Sequence, residues 1–183
     1  MKSVVSPSAI EIMPRYVAFL RGVMPTNAKM TDLRRCFEHA GLAEVKTVLG
    51  SGNVVFNARS GSESALVRQI EAAMDRTLGR RFHPFVRSAE FLQRLVQSDP
   101  FAAFDVPANA KRIVTFLPAP PRTQPALPLI TEGVHFLALR EREVFTAYLP
   151  NPRGPVFMAL LGKLFGEALT TRTWDTVKKC AAA

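Results

Sequence analysis

Residues 48–56 read VLGSGNVVF. Apolar, β-branched runs flank Gly50-Ser51-Gly52-Asn53, and what this segment joins decides the fold of the first half. A phosphate-gripping loop or a nucleophile elbow links a strand to a helix, because amides at the helix N-terminus do the chemistry. Here both flanks, 45–49 and 53–58, are strand-like, and Ser51-Gly52 is a turn dipeptide. The segment therefore predicts a hairpin, without direct chemistry at Ser51.

The neighbouring elements follow from that hairpin. RYVAFLRG (15–22) is apolar on both alternating faces, as a central strand covered on both sides should be. A helix is predicted from Lys29 to Ala40, with Met30, Leu33 and Phe37 at helical spacing and Gly41 as the stop. Ser60-Gly61-Ser62-Glu63 is a capping-box pattern. It opens a second helix whose buried stripe is Leu66, Ile70, Ala73, Met74 and Leu78, ended by Gly79. RFHPFVR (81–87) is a further strand, and Pro84, which cannot donate to a ladder, marks it as an edge. The order is β-α-β-β-α-β, the ferredoxin-like split βαβ unit, over residues 15–87. It predicts the first and third strands at the centre and the last at an edge.

The second half, 88–183, is also α+β. Ser88 caps a helix carrying Phe91, Leu92, Leu95 and Val96, ended by Asp99-Pro100. KRIVTFLP (111–118) is a strand, and PAPPRTQPALP (118–128) has too many prolines for a long helix. GVHFLAL and VFTAYL are strands of an antiparallel sheet, joined by the charged turn Arg140–Glu143. PNPRGP (150–155) is a loop, and VFMALLGKLFG (156–166) is a helix. The order β-x-β-β-α echoes the first half, a degenerate duplication without a detectable sequence repeat; a single mixed core is the alternative. Residues 1–14 lack periodicity and are expected to be a flexible, dispensable tail.

The chain has 183 residues, 48% of them hydrophobic and 21% charged, with a net charge of +9. That length supports a core without disulfides or metals. Cys36 and Cys180 match no metal or redox spacing and are expected to be reduced thiols in a cytoplasmic protein. No apolar run is long enough to span a bilayer, so no membrane association is expected. The basic excess is spread over both halves and weighted to the first, which favours an anionic partner: nucleic acid or a phosphorylated small molecule.

Candidate binding groups lie in three places. Arg21 ends the first strand beside the loop RGVMPTNAK (21–29), which leads into a helix N-terminus. Ser51 and Asn53 lie in the hairpin. TTRTWDTVKK (170–179) supplies Thr171, Arg172, Thr173 and Lys178 around the only tryptophan. A terminal Trp174 left in water would forfeit about 2–3 kcal/mol of burial, so the segment is expected to dock on the first half. Its contact would be the GSGN hairpin or the loop after Arg21, with Arg172, Lys178 and Lys179 exposed. The candidate anion site is therefore Arg21, Ser51, Asn53, Thr171, Arg172 and Lys178. In a second version, Arg172 only bonds backbone carbonyls at the hairpin and locks the two ends together.

YVAFLRG, MTDLRRCFEHAGLAEVKTVLGSGNVVF and TTRTWDTVKK together resemble the bacterial family called domain of unknown function 1697, over residues 15 to about 180. The resemblance implies a soluble α+β protein with no assigned activity and no known cofactor. By position, its signature falls on Arg21, Gly22, Ser51, Gly52, Asn53, Thr171, Arg172, Trp174, Thr176 and Lys178. The chain departs from the pattern in three places. Val23–Asn27 replaces a loop rich in glycine and asparagine, Gly50 replaces a polar residue, and Thr173 and Asp175 replace asparagines.

Other chemistries find little support. His39, His83 and His135 are scattered, without metal spacing, and no P-loop or dinucleotide fingerprint occurs. Compared with RNA-recognition sheets, GNVVFNA has one phenylalanine where stacking aromatics belong, and the parity of Phe56 sends it to the core. No cofactor is expected, whether the chain is an enzyme is left open, and a monomer is favoured. Three classes remain: a module binding an anionic ligand, an enzyme acting on a phosphorylated or nucleotide-like small molecule, and a protein-interaction domain. The last would use the 118–128 segment or the sheet edge at 81–87.

Overall fold

The computed structural model describes residues 13–59, 61–150 and 156–183. Most of the 1–14 tail, Ser60 of the proposed capping box, and nearly all of the 150–155 loop lie outside these residues. The first half runs β1 (Arg15–Leu20), α1 (Met30–His39), β2 (Ala43–Val48), β3 (Asn53–Asn57), α2 (Glu63–Leu78) and β4 (Pro84–Ser88). These form an antiparallel sheet in the order β2-β3-β1-β4, with β1 and β3 inside and β4 at an edge, as the sequence pattern predicts. Pro84 opens β4, where a missing N–H costs no ladder bond. The α2 cap is Ser62, whose hydroxyl accepts from the Ala65 amide at 3.2 Å.

The second half runs α3 (Ala89–Ser98), β5 (Lys111–Phe116), β6 (Leu129–Thr131), β7 (Val134–Arg140), β8 (Glu143–Tyr148), α4 (Val156–Phe165), β9 (Thr170–Thr173) and α5 (Trp174–Ala182). Its antiparallel sheet has the order β6-β7-β8-β5-β9. Without the short β6, which the sequence reading missed, β7-β8-β5-β9 repeats β2-β3-β1-β4 strand for strand. No helix stands where α1 stands in the first half, because the proline-rich stretch fills that connection. Registers repeat as well. Val17 opposes Arg87 as Val114 opposes Arg172, and Phe19 opposes Asn53 as Phe116 opposes Glu143. Each last strand runs straight into a helix capped by a hydroxyl, Ser88 for α3 and Thr173 for α5.

Three apolar clusters order the layers. Helices α1 and α2 cover one face of the first sheet through Leu33, Phe37, Ile70 and Met74. On the outer face of the second sheet, α4 packs Phe157 and Leu161. Between the sheets lies a shared core that includes Val17, Phe19, Phe85, Val114, Phe116 and Phe145, closed by α3 and α5. The Phe19 and Phe116 rings stack across it at 4.3 Å, each fully buried and contributing about 1.5–3 kcal/mol. Trp174 is 6% exposed and meets Phe101 at 5.4 Å. Cys36 and Cys180 are buried free thiols; burial raises both, Cys180 to about 11.

The hairpin turn depends on one glycine. Gly52 has φ +74°, and a Cβ there would lie 2.7 Å from Val23 Cβ. Its carbonyl accepts from Leu20 N at 2.8 Å, which seats the turn against the end of β1.

Candidate functional site

The residues singled out from the sequence fall into two groups. Asn53, Ser51, Thr171 and Arg172 meet where the hairpin, the end of β1 and the edge strand β9 come together. Arg172 is 9% exposed, not exposed as expected. Strand alternation turns it, with Thr170, toward the shared core, and the Phe19 ring lies 5.6 Å from its guanidinium. Nε donates to Asn53 Oδ1. Nη1 donates to Thr170 Oγ1 (2.9 Å) and the Thr171 carbonyl (2.7 Å), and Nη2 to the carbonyls of Leu20 (2.8 Å) and Ser51 (3.0 Å). All five guanidinium N–H groups are thus engaged within the protein. They tie β9 to both β1 and the hairpin, the geometry of the lock.

Asn53 is fully buried, and its amide donates to the Val48 carbonyl at 2.9 Å and to Ser51 Oγ at 3.1 Å. Ser51 is exposed, and since its oxygen accepts from Asn53 its own proton is free to donate outward. Thr171 is half-buried at the rim, and Arg21, next to the Leu20 carbonyl that Arg172 holds, is exposed. The loop after Arg21 is stiffened without the usual glycines. Asn27 accepts from Met24 N and donates to the Gly22 carbonyl, both at 2.8 Å. Lys178 does not join this group. It sits on α5, paired with Asp175 at 2.8 Å.

The repeated register produces a counterpart that the sequence reading did not find. Arg87 occupies on β4 the place of Arg172 on β9, and is 2% exposed. Its Nε donates to Glu143 Oε1 at 2.6 Å, Nη1 to the Val86 carbonyl at 2.9 Å and Nη2 to the Leu117 carbonyl at 2.9 Å, while Phe116 lies 5.5 Å from its guanidinium. Each arginine reaches from one sheet into the other. Arg87 holds Glu143 and Leu117, and Arg172 holds Asn53 and Leu20. Each also occupies the open side of an edge strand, where unpaired backbone invites further pairing. The signal was in the sequence: Arg87-Ser88-Ala89-Glu90 and Arg172-Thr173-Trp174-Asp175 both read arginine, hydroxyl cap, any residue, acid.

The two clasps differ in charge. Burial pushes Glu143 up and Arg87 down, and each opposes the other's shift, so the pair is internally neutralised. Arg172 faces an amide where Arg87 faces a carboxylate. Among the described residues no carboxylate pairs with it, and burial brings its pKa down to about 10. A buried cation without a counter-charge carries a penalty of several kcal/mol, which here only hydrogen bonds and an aromatic ring offset.

Comparison with known proteins places the chain. The model of the family "Protein of unknown function (DUF1697)" matches residues 13–145, from before β1 to the start of β8. The chain belongs to this family. As a DUF1697 protein it is also similar in structure to "conserved bacterial protein SP0830 from Streptococcus pneumoniae". The two share 17% sequence identity with a TM-score of 0.64, over 93% of this chain and 97% of that one, a likeness of fold. No curated protein matches the chain. Among the described residues no helix is long and apolar enough to cross a membrane.

Proposed function

We propose that this DUF1697 protein is a binding module for phosphate-bearing anions. The site is formed by Arg21, Ser51 and Thr171 over the buried Arg172 and Asn53. The observation that carries it is the missing counter-charge beside Arg172, set against the carboxylate beside Arg87 in the equivalent clasp. Arg172 has no donor left for a ligand, so it acts through its field. A unit anion about 8 Å away is favoured by about 2 kcal/mol at an effective dielectric of about 20. Arg21 and the outward Ser51 hydroxyl supply the direct contacts. The family signature on Arg21, Ser51, Asn53 and Arg172 is then a binding arrangement built on a structural lock.

Calorimetric titration at low salt with inorganic phosphate and ATP tests this. Arg21→Ala should weaken binding by about tenfold, the loss of one charged contact of about 1.4 kcal/mol. Arg34→Ala, on the solvent side of α1 and paired with Glu38, should leave it unchanged. Equal affinity in wild type and Arg21→Ala would refute the site.

A further inference from the structure

We propose that the ligand is a linear chain of phosphates, as in single-stranded nucleic acid or inorganic polyphosphate, laid along β9 from the Arg21 end to a second cationic cleft. This rests on the anion site proposed above and extends it.

The second cleft is a cavity of about 410 Å³ at the junction of β9 and α5. Lys111, Arg112 and Lys178 line it, with Thr173 and Trp174, and Asp175 is its one carboxylate. Lys178's hydrogen bond holds the Asp175 carboxyl below the usual range, and Lys179 and Arg112 add to the effect from nearby. Three cations surround one acid, so the cleft stays positive when Asp175 is ionised. Here Lys178, which does not reach the Arg172 group, finds cationic neighbours that the sequence did not single out.

Strand β9 connects the two places. Thr170 opposes Phe116 at one end, where the Arg172 guanidinium, reaching back along the strand to Thr170 Oγ1, also holds the Leu20 and Ser51 carbonyls, and Thr173 opposes Ile113 at the end that lines the cleft. Four residues at about 3.3 Å each put the ends about 10 Å apart, beyond one phosphate and within reach of a short polymer. β9 pairs with β5 alone and is therefore an edge. Its burial alternates, so Thr171 and Thr173 share the face opposite Thr170 and Arg172; the Thr171 hydroxyl lies along the path, while that of Thr173 caps α5. Without stacking aromatics, recognition of a nucleic acid would be indifferent to sequence and sensitive to salt.

The test compares inorganic phosphate, inorganic polyphosphate and a labelled oligothymidylate of about 12 nucleotides, within single-strand site sizes. The proteins are wild type, Arg21→Ala, and the triple variant Lys111→Ala/Arg112→Ala/Lys178→Ala. All three side chains of the triple variant are exposed, and a melting curve checks its fold. At least one polymer should bind more than about tenfold tighter than phosphate. The triple variant should lose that advantage, and the slope of log affinity against log salt for the oligonucleotide should fall by about 2. Its affinity for inorganic phosphate should fall by a smaller factor than its affinity for the polymer. Whichever polymer binds names the source. Polymer binding no tighter than phosphate, or undiminished in the triple variant, overturns the extended ligand and leaves the anion site standing. Polymer binding lost in the triple variant but unaffected by Arg21→Ala overturns the anion site and the path along β9 with it.

Discussion

Arg172→Ala is expected to lower stability by about 3–5 kcal/mol, a large effect for a single substitution. It removes five donors at once, leaving Asn53 Oδ1 and the Leu20 carbonyl buried without them and the Ser51 carbonyl half-buried without its own. It also empties the space beside Phe19 in the shared core. For a chain of this size the melting temperature should fall by about 6–20 °C. Arg172→Lys should recover little of the loss. An ammonium is a single point with three donors, and it cannot span acceptors on β1, the hairpin and β9 together. A chemical denaturation series checks both. An Arg172→Ala protein within about 1 kcal/mol of wild type would mean that the hydrogen bonds are incidental to the fold.

The second large effect is at Glu143, and it has an internal reference. Glu143→Ala leaves the Arg87 charge buried and unpaired, a situation that costs about 3–5 kcal/mol. Glu143→Gln removes the same charge but keeps an acceptor for Arg87 Nε. Asn53 holds Arg172 with an amide in the equivalent position, so the fold can carry that arrangement. The glutamine variant should therefore cost clearly less than the alanine variant, by about 2 kcal/mol. Equal losses by equilibrium unfolding would show that charge neutralisation, and not the hydrogen-bonded clasp, holds this end of the molecule.

Much of the fold was legible because local chemistry and tertiary structure agree. The doubly apolar pattern of residues 15–20 is that of a strand buried between α1/α2 and the shared core, and Pro84 allows no position except an edge. Ser88 and Gly79 bound their helices as capping chemistry requires. The short β6 carried no signal, since three residues cannot show a period. The charged clasps were hidden for a different reason. An arginine between threonines looks solvated until the strand's parity and its partners are known, and Arg87 within PFVRS looks the same. Both are buried because backbone carbonyls from another segment, distant in sequence, satisfy them. The shared arginine–hydroxyl–x–acid pattern marks the two positions as equivalent, but it does not report their long-range acceptors. The candidate site was legible in its members at the hairpin and β9 but not in its roles. Of the two versions the sequence allows for Arg172, ligand contact and a lock at the hairpin, the hydrogen bonds are those of the lock, and Arg21 and Ser51 are the exposed members. Lys178 belonged to a different group, with Lys111 and Arg112, which the sequence separates by more than half a domain.

The charge difference between the two clasps is tested most directly by Asn53→Asp. The substitution is nearly isosteric and places beside Arg172 the carboxylate that Arg87 already has in Glu143. Calorimetric titration with inorganic phosphate at low salt, on folded wild type and Asn53→Asp side by side, should show at least about a tenfold loss of affinity in the variant, matching the removal of about 2 kcal/mol of field from the site. Unchanged affinity in a folded Asn53→Asp protein would contradict the proposal that the unpaired charge of Arg172 serves an anion.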